Sequence, residues 1–174
     1  MTMDSLPLTA ALLGKLFPIK GSDIERYYKH HLSDYEVWTQ KEHATDWVLL
    51  PENIGEYLSI DETQLCEEVY TILSNKAGHG GQGTVVAIVK GTKADVVSRI
   101  LMMTPESERA KVKEIKAARD CIKSREVEVL NYFINRAANA SAESLNSKMK
   151  GFRAQLHGIA DIPFFMYRIC TIFG

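Results

Sequence analysis

Two runs rich in β-branched and aromatic residues, 69–73 (Val-Tyr-Thr-Ile-Leu) and 84–89 (Thr-Val-Val-Ala-Ile-Val), flank the stretch 75–83, Asn-Lys-Ala-Gly-His-Gly-Gly-Gln-Gly. Runs of this composition are extended, and a short glycine-rich connection joins them as an antiparallel hairpin. The glycines also invite a phosphate-loop reading. The stretch lacks the Gly-Lys-Ser/Thr ending of such a loop, however, and it leads into a strand rather than a helix. A hairpin turn is the expectation. A shorter extended run, 57–60 (Tyr-Leu-Ser-Ile), precedes it and is expected to end at Asp61-Glu62-Thr63.

Helical patterns flank this sheet. Leu8, Leu12, Leu13, Leu16 and Phe17 predict an amphipathic helix over 5–17, ended by Pro18 and Gly21. Ser22 or Asp23 can cap a second helix running to about Ala44, whose Ile24, Tyr28, His31, Tyr35 and Trp38 form an apolar seam. Two helices joined by a short turn could grip DNA. The second carries more acid than base, which favours a lead-in packed on the core, and Asn53-Ile54-Gly55 reads as the link onward. After the hairpin come helical patterns at 94–103, at 106–116 behind Thr104-Pro105, and at 124–135. An apolar segment at 162–173, expected to dock on the core, follows the break at Gly158.

A chain of 174 residues suits one domain with a real core. No run is long enough to span a membrane, and the N-terminus lacks the basic region and cleavage site of a signal peptide. Cys66, Cys121 and Cys170 have no metal-ligand spacing and fit reduced thiols in a cytoplasm. The five histidines form no ligand set either, and no nucleophilic triad has motif support. Net charge is −1, but residues 1–60 carry five basic and nine acidic side chains, whereas 121–174 carry seven basic and four acidic. Contact with phosphate is therefore expected at the C-terminal end, around Lys148, Lys150, Arg153 and Arg168.

That end holds the most informative stretch, 139–153, Asn-Ala-Ser-Ala-Glu-Ser-Leu-Asn-Ser-Lys-Met-Lys-Gly-Phe-Arg. Asn139 can cap a helix in which Leu145, Met149, Phe152 and Leu156 draw one apolar stripe. Glu143 falls opposite the stripe, with Asn146, Ser147 and Lys150 on its side. Spacing alone leaves two readings open: a metal ligand close to bound phosphates, or the commoner solvated helix face.

The motif N-A-S-A-E-S-L-N-S-K-M-K-x-F-R closely resembles the C-terminal motif of a family of bacterial insertion-sequence transposases. Four further runs resemble the same family: K-E-H-A-x-x-W-V-L-x-P-E-N from Lys41, S-I-D-E-T-x-L from Ser59, V-Y-T-I-L-x-N-K from Val69, and V-x-x-V-K-G-T-K-A from Val86. The resemblance implies a ribonuclease-H-like core with an Asp-Asp-Glu triad, in which Asp61 is the first catalytic acid and Glu143 the third, both binding metal. Magnesium is the implied ion, because phosphoryl transfer between DNA ends uses paired divalent cations with oxygen ligands. Asn146, Lys148, Lys150 and Arg153 are the implied DNA contacts.

The second acid is missing from its place. The family continues from V-K-E into a strand ending in aspartate, but here Val112-Lys113-Glu114-Ile115 runs into Lys116-Ala117-Ala118-Arg119-Asp120. Ala118 stands in the aspartate's position and Asp120 comes two residues late. An internal deletion near 116–124 accounts for this. The expectation is an α/β (α+β) fold: a helical segment over 1–52, then a truncated ribonuclease-H-like core over 53–174, with a three-stranded antiparallel sheet packed by C-terminal helices. The implied function is DNA transposition at insertion-sequence ends with impaired catalysis. Implied partners are the element-end DNA and a second chain, either another copy or the full-length transposase. The alternatives are a non-enzymatic regulator that binds DNA or transposase, and a decayed product with no role.

Overall fold

The computed structural model describes residues 9–65, 67–91, 102–109, 140–156 and 159–174. In chain order these form helices α1 (Ala10–Leu16) and α2 (Gly21–Tyr27), strands β1 (Trp47–Leu49), β2 (Leu58–Leu65), β3 (Glu68–Asn75) and β4 (Val85–Lys90), and helices α3 (Glu106–Arg109), α4 (Ala140–Gln155) and α5 (Ile162–Phe173). The fold is mixed α/β. Ala118, Asp120, the proposed junction at 116–124, the helix at 124–135 and the Asn139 cap lie outside the described residues.

The sheet has four antiparallel strands in the order β1-β4-β3-β2, one more than the three expected. The additional strand, β1, pairs Val48 with Ile88 at the edge beyond β4. At three residues it is too short to announce itself by alternation. β2 also runs further than expected, because Asp61, Glu62, Thr63 and Gln64 all pair with β3, opposite Ile72, Thr71, Tyr70 and Val69. Asp61 therefore sits within the strand, not at its end. Glu67, at φ 66°, makes the tight return from β2 to β3.

A bulge between Leu73 and Ser74 in the β3–β4 register leaves Val86 as the extra residue, since Leu73 pairs with Ala87 and Ser74 with Val85. Val85 and Ile88 thereby face one side of the sheet while Val86, Ala87 and Val89 face the other. The first side carries the larger core, where Val48, Leu65, Tyr70 and Ile72 meet Leu145, Met149 and Phe152 of α4 and Phe165, Met166, Ile169 and Phe173 of α5. The predicted α4 stripe is thus the packed face. Burial of each such side chain is worth roughly 1.5–3 kcal/mol.

Helix α5 is apolar nearly all round, and both its ends are tied. Asp161 caps its start by accepting from the Phe164 amide and pairs with Lys29. At the other end the Phe173 and Gly174 carbonyls accept from the Thr84 and Gly83 amides at 2.9 and 3.0 Å. Cys170 is a free thiol in this helix, buried and pushed up to about 12 by loss of water. Arg168 is also buried, its guanidinium 5.2 Å from the Tyr28 ring and 5.1 Å from the Phe152 ring. The expectation that it would meet phosphate at the surface is thereby corrected.

The long helix expected from Ser22 to Ala44 does not form. After α2 the chain makes a π-helical turn over Tyr28–Leu32, is extended at Ser33, and continues in short 3-10 turns at Asp34–Val37 and Lys41–His43. The break lets Tyr28 and Tyr35 both pack on Phe164 and Tyr167 of α5, with Tyr35 edge-on to each ring at 5.1 and 5.5 Å. His31 consequently leaves the seam for the surface, where its ring lies tilted against Tyr27 with centroids 4.9 Å apart.

Phe152 touches the sheet core, the Phe165 ring at 5.7 Å and the Arg168 guanidinium. Phe152→Ala is expected to cost about 3–5 kcal/mol of folding free energy, read as a lowered urea midpoint.

Candidate functional site at the junction of strand β2 and helix α4

Asp61 lies on the helix-covered side of the sheet, the side shared by its cross-strand partner Ile72. Its carboxylate accepts two hydrogen bonds. Oδ1 takes the Glu62 amide at 2.8 Å, and Oδ2 takes the side-chain amide of Asn146. The second bond closes a separation of 85 residues and brings strand β2 against helix α4. Further along, the Arg153 guanidinium donates to the Gln64 carbonyl, so helix and strand advance in the same direction.

Glu143 is one helical turn before Asn146 and is exposed. Side chains three apart on a helix have Cβ atoms about 5–6 Å from each other, so Glu143 stands on the same side of α4 as the amide that holds Asp61. Asn146 itself is 7% exposed, so the solvated face, one of the two readings that spacing left open, does not hold at this position. The reason is the docking: Leu145, next to it, points into the core, and α4 lies close enough to the edge of the sheet for the neighbouring position to meet β2. Its amide oxygen, Oδ1, is buried without a hydrogen-bond partner.

The glycine-rich loop closes the N-terminal end of the helix. It opens with a 3-10 turn at Lys76–Gly78, then passes through positive φ at His79 (48°), Gly80 (74°) and Gly83 (77°). Lys148 donates to the Gly80 carbonyl at 2.7 Å, and a Cβ built on Gly80 would stand 2.6 Å from Ser144 Oγ. The loop is the predicted hairpin connection and also a seat for α4. Its four glycines could have signalled close approach as well as turning. Of the four expected DNA contacts, then, Asn146 is engaged by Asp61, Lys148 by the loop and Arg153 by β2, while Lys150 is exposed.

Asp61 and Glu143 are hard oxygen donors on two elements joined by the Asn146–Asp61 hydrogen bond, the donor type that divalent cations take. Among the described residues no group of three or more His, Cys, Asp or Glu side chains could hold a metal. A pair of cations would need another carboxylate.

Residues 107–169, about a third of the chain, match a family model described as Transposase. Over these residues the chain is similar to an insertion-sequence transposase family. The matched segment contains Glu143, Asn146 and all of α4, while Asp61 lies before it. Comparison with curated proteins and with solved structures gives no match. No helix among the described residues is long and apolar enough to cross a membrane.

Gly80→Ala and Gly83→Ala test how tightly the loop seats the helix. Both place a side chain in the left-handed region, at about 1–2 kcal/mol. Only Gly80→Ala also collides with Ser144 and the Leu145 backbone, because Gly83 has open space around it. Chemical denaturation should show Gly80→Ala to be the more damaging of the two. Equal losses would mean that the loop does not support α4.

Proposed function

We propose that this chain is a transposase of the Asp-Asp-Glu class, built on a truncated ribonuclease-H-like core, that recognises insertion-sequence-end DNA but is impaired in cleavage and joining. Asp61 and Glu143 are its metal-binding carboxylates. The observation that carries this reading is the hydrogen bond from Asn146 to Asp61, which joins the strand bearing one acid to the helix bearing the other. A strand and a helix so far apart in sequence have no local reason to meet.

Magnesium, when bound, supplies Lewis-acid activation of the attacking oxygen and charge neutralisation at the leaving one. Asp61 and Glu143 supply oxygen ligands. The impairment follows from Ala118, which stands where the family resemblance requires aspartate. Two carboxylates hold the paired-ion geometry of phosphoryl transfer poorly. Lys150, Lys148 and Arg153 lie along the helix that carries Glu143 and give phosphate a positive approach.

A regulatory role draws support from β2, an eight-residue strand at the end of the strand order whose one described neighbour is β3. Edges of this length accept a strand from another chain. Pairing of this kind with a full-length transposase would block its assembly.

Purified protein incubated with labelled element-end DNA in magnesium or manganese should give neither nicks nor joined products. Turnover that disappears in Asp61→Asn would refute the impairment. Gel-shift titrations should show salt-dependent binding weakened by Lys150→Ala, and salt-insensitive binding or none would count against DNA recognition.

A further inference from the structure

The residue that stands out once the two acids are accounted for is Asn146. A polar side chain this buried ordinarily has every donor and acceptor satisfied. Here the amide nitrogen is satisfied by Asp61 and the amide oxygen is not, although the residue is buried at the rim of the contact between α4 and β2. Among the described residues Asn146 Oδ1 and Thr84 Oγ1 are both buried without a partner, and the Asn146 oxygen is the one beside a carboxylate.

We propose that Asn146 is a member of the cation site, with its amide nitrogen positioning the Asp61 carboxylate and its amide oxygen serving as a neutral third ligand beside Asp61 and Glu143. The proposal rests on the reading of Asp61 and Glu143 as metal ligands and adds to it a residue that the acids alone do not identify. Carboxamide oxygens are ordinary ligands of hard divalent cations. A neutral group also suits this place better than a third carboxylate. Before a cation arrives, Asp61 needs a donor against it, which an amide provides, whereas a buried aspartate at 146 would face like charge. The same side chain thus holds Asp61 in the cation-free protein and offers an oxygen once the cation is present.

The test uses the full chain and manganese as the probe, with affinity read by isothermal titration calorimetry and stability by thermal melts with and without manganese. Wild-type protein should bind the ion and Asp61→Asn should lose it. Asn146→Leu should weaken affinity by about tenfold or more, as loss of a group that orients a metal ligand commonly does. Asn146→Asp should melt lower than wild type without manganese, through repulsion with Asp61, and regain the loss when manganese is added, with affinity at or above that of wild type. If Asn146→Leu does not fold, the manganese-dependent rescue of Asn146→Asp decides alone. A structural asparagine would give variants of lowered melting temperature, unchanged affinity and no rescue, and that result overturns the proposal while leaving the two acids as ligands. Failure of the wild-type chain to bind manganese overturns the metal reading of Asp61 and Glu143, and this proposal with it.

Discussion

The burial of Leu145, Met149 and Phe152 against the sheet is the contact on which the rest of the molecule depends. These three side chains fix the rotation of α4 about its own axis. Once they point inward, Asn146 must lie at the rim of the contact and Glu143 must emerge from it. The polar contacts at Asp61, Gly80 and Gln64 are weak singly, because each replaces bonds that water would otherwise make. They choose among the ways the apolar face could settle, and the apolar face supplies most of the energy for settling.

Helix α5 gives α4 something rigid to lean on. Its start is capped by Asp161, which also pairs with Lys29 of the N-terminal segment, and its last carbonyls are taken up by the loop between β3 and β4. Orphan groups at a buried helix end would otherwise be costly. The loop therefore receives α5 through its backbone amides at 83 and 84 and α4 through the carbonyl of Gly80. Sheet, helices and turn form one support under the candidate site.

Much of this was legible in the sequence where a side-chain period meets a buried face. The α4 stripe, the strands at 69–73 and 84–89 and the apolar last helix all announced themselves in that way. What escaped was decided by partners distant in the chain. β1 exists because β4 offers an edge, and β2 continues through four polar residues because β3 pairs with them. The seam over 24–38 looked helical, yet two of its tyrosines reach the rings of α5 only if the chain breaks at Ser33. At the candidate site, Asp61 and Glu143 are expectations of the motif resemblance alone. The engagement of Asn146, Lys148 and Arg153 with β2 and the loop could not be read from α4 in isolation, since it depends on where the helix lies over the sheet.

The two contacts between α4 and β2 lie seven residues apart on the helix and three apart on the strand. Seven helical residues rise about 10.5 Å. Three strand residues rise about 10 Å. The elements are commensurate over this interval, so both contacts close in one alignment, like two pins entering matched holes. Sliding the helix by a single turn, about 5.4 Å, would withdraw both pins together. The alignment of α4 on β2 is consequently not free to drift by small amounts: it is either held in register or lost.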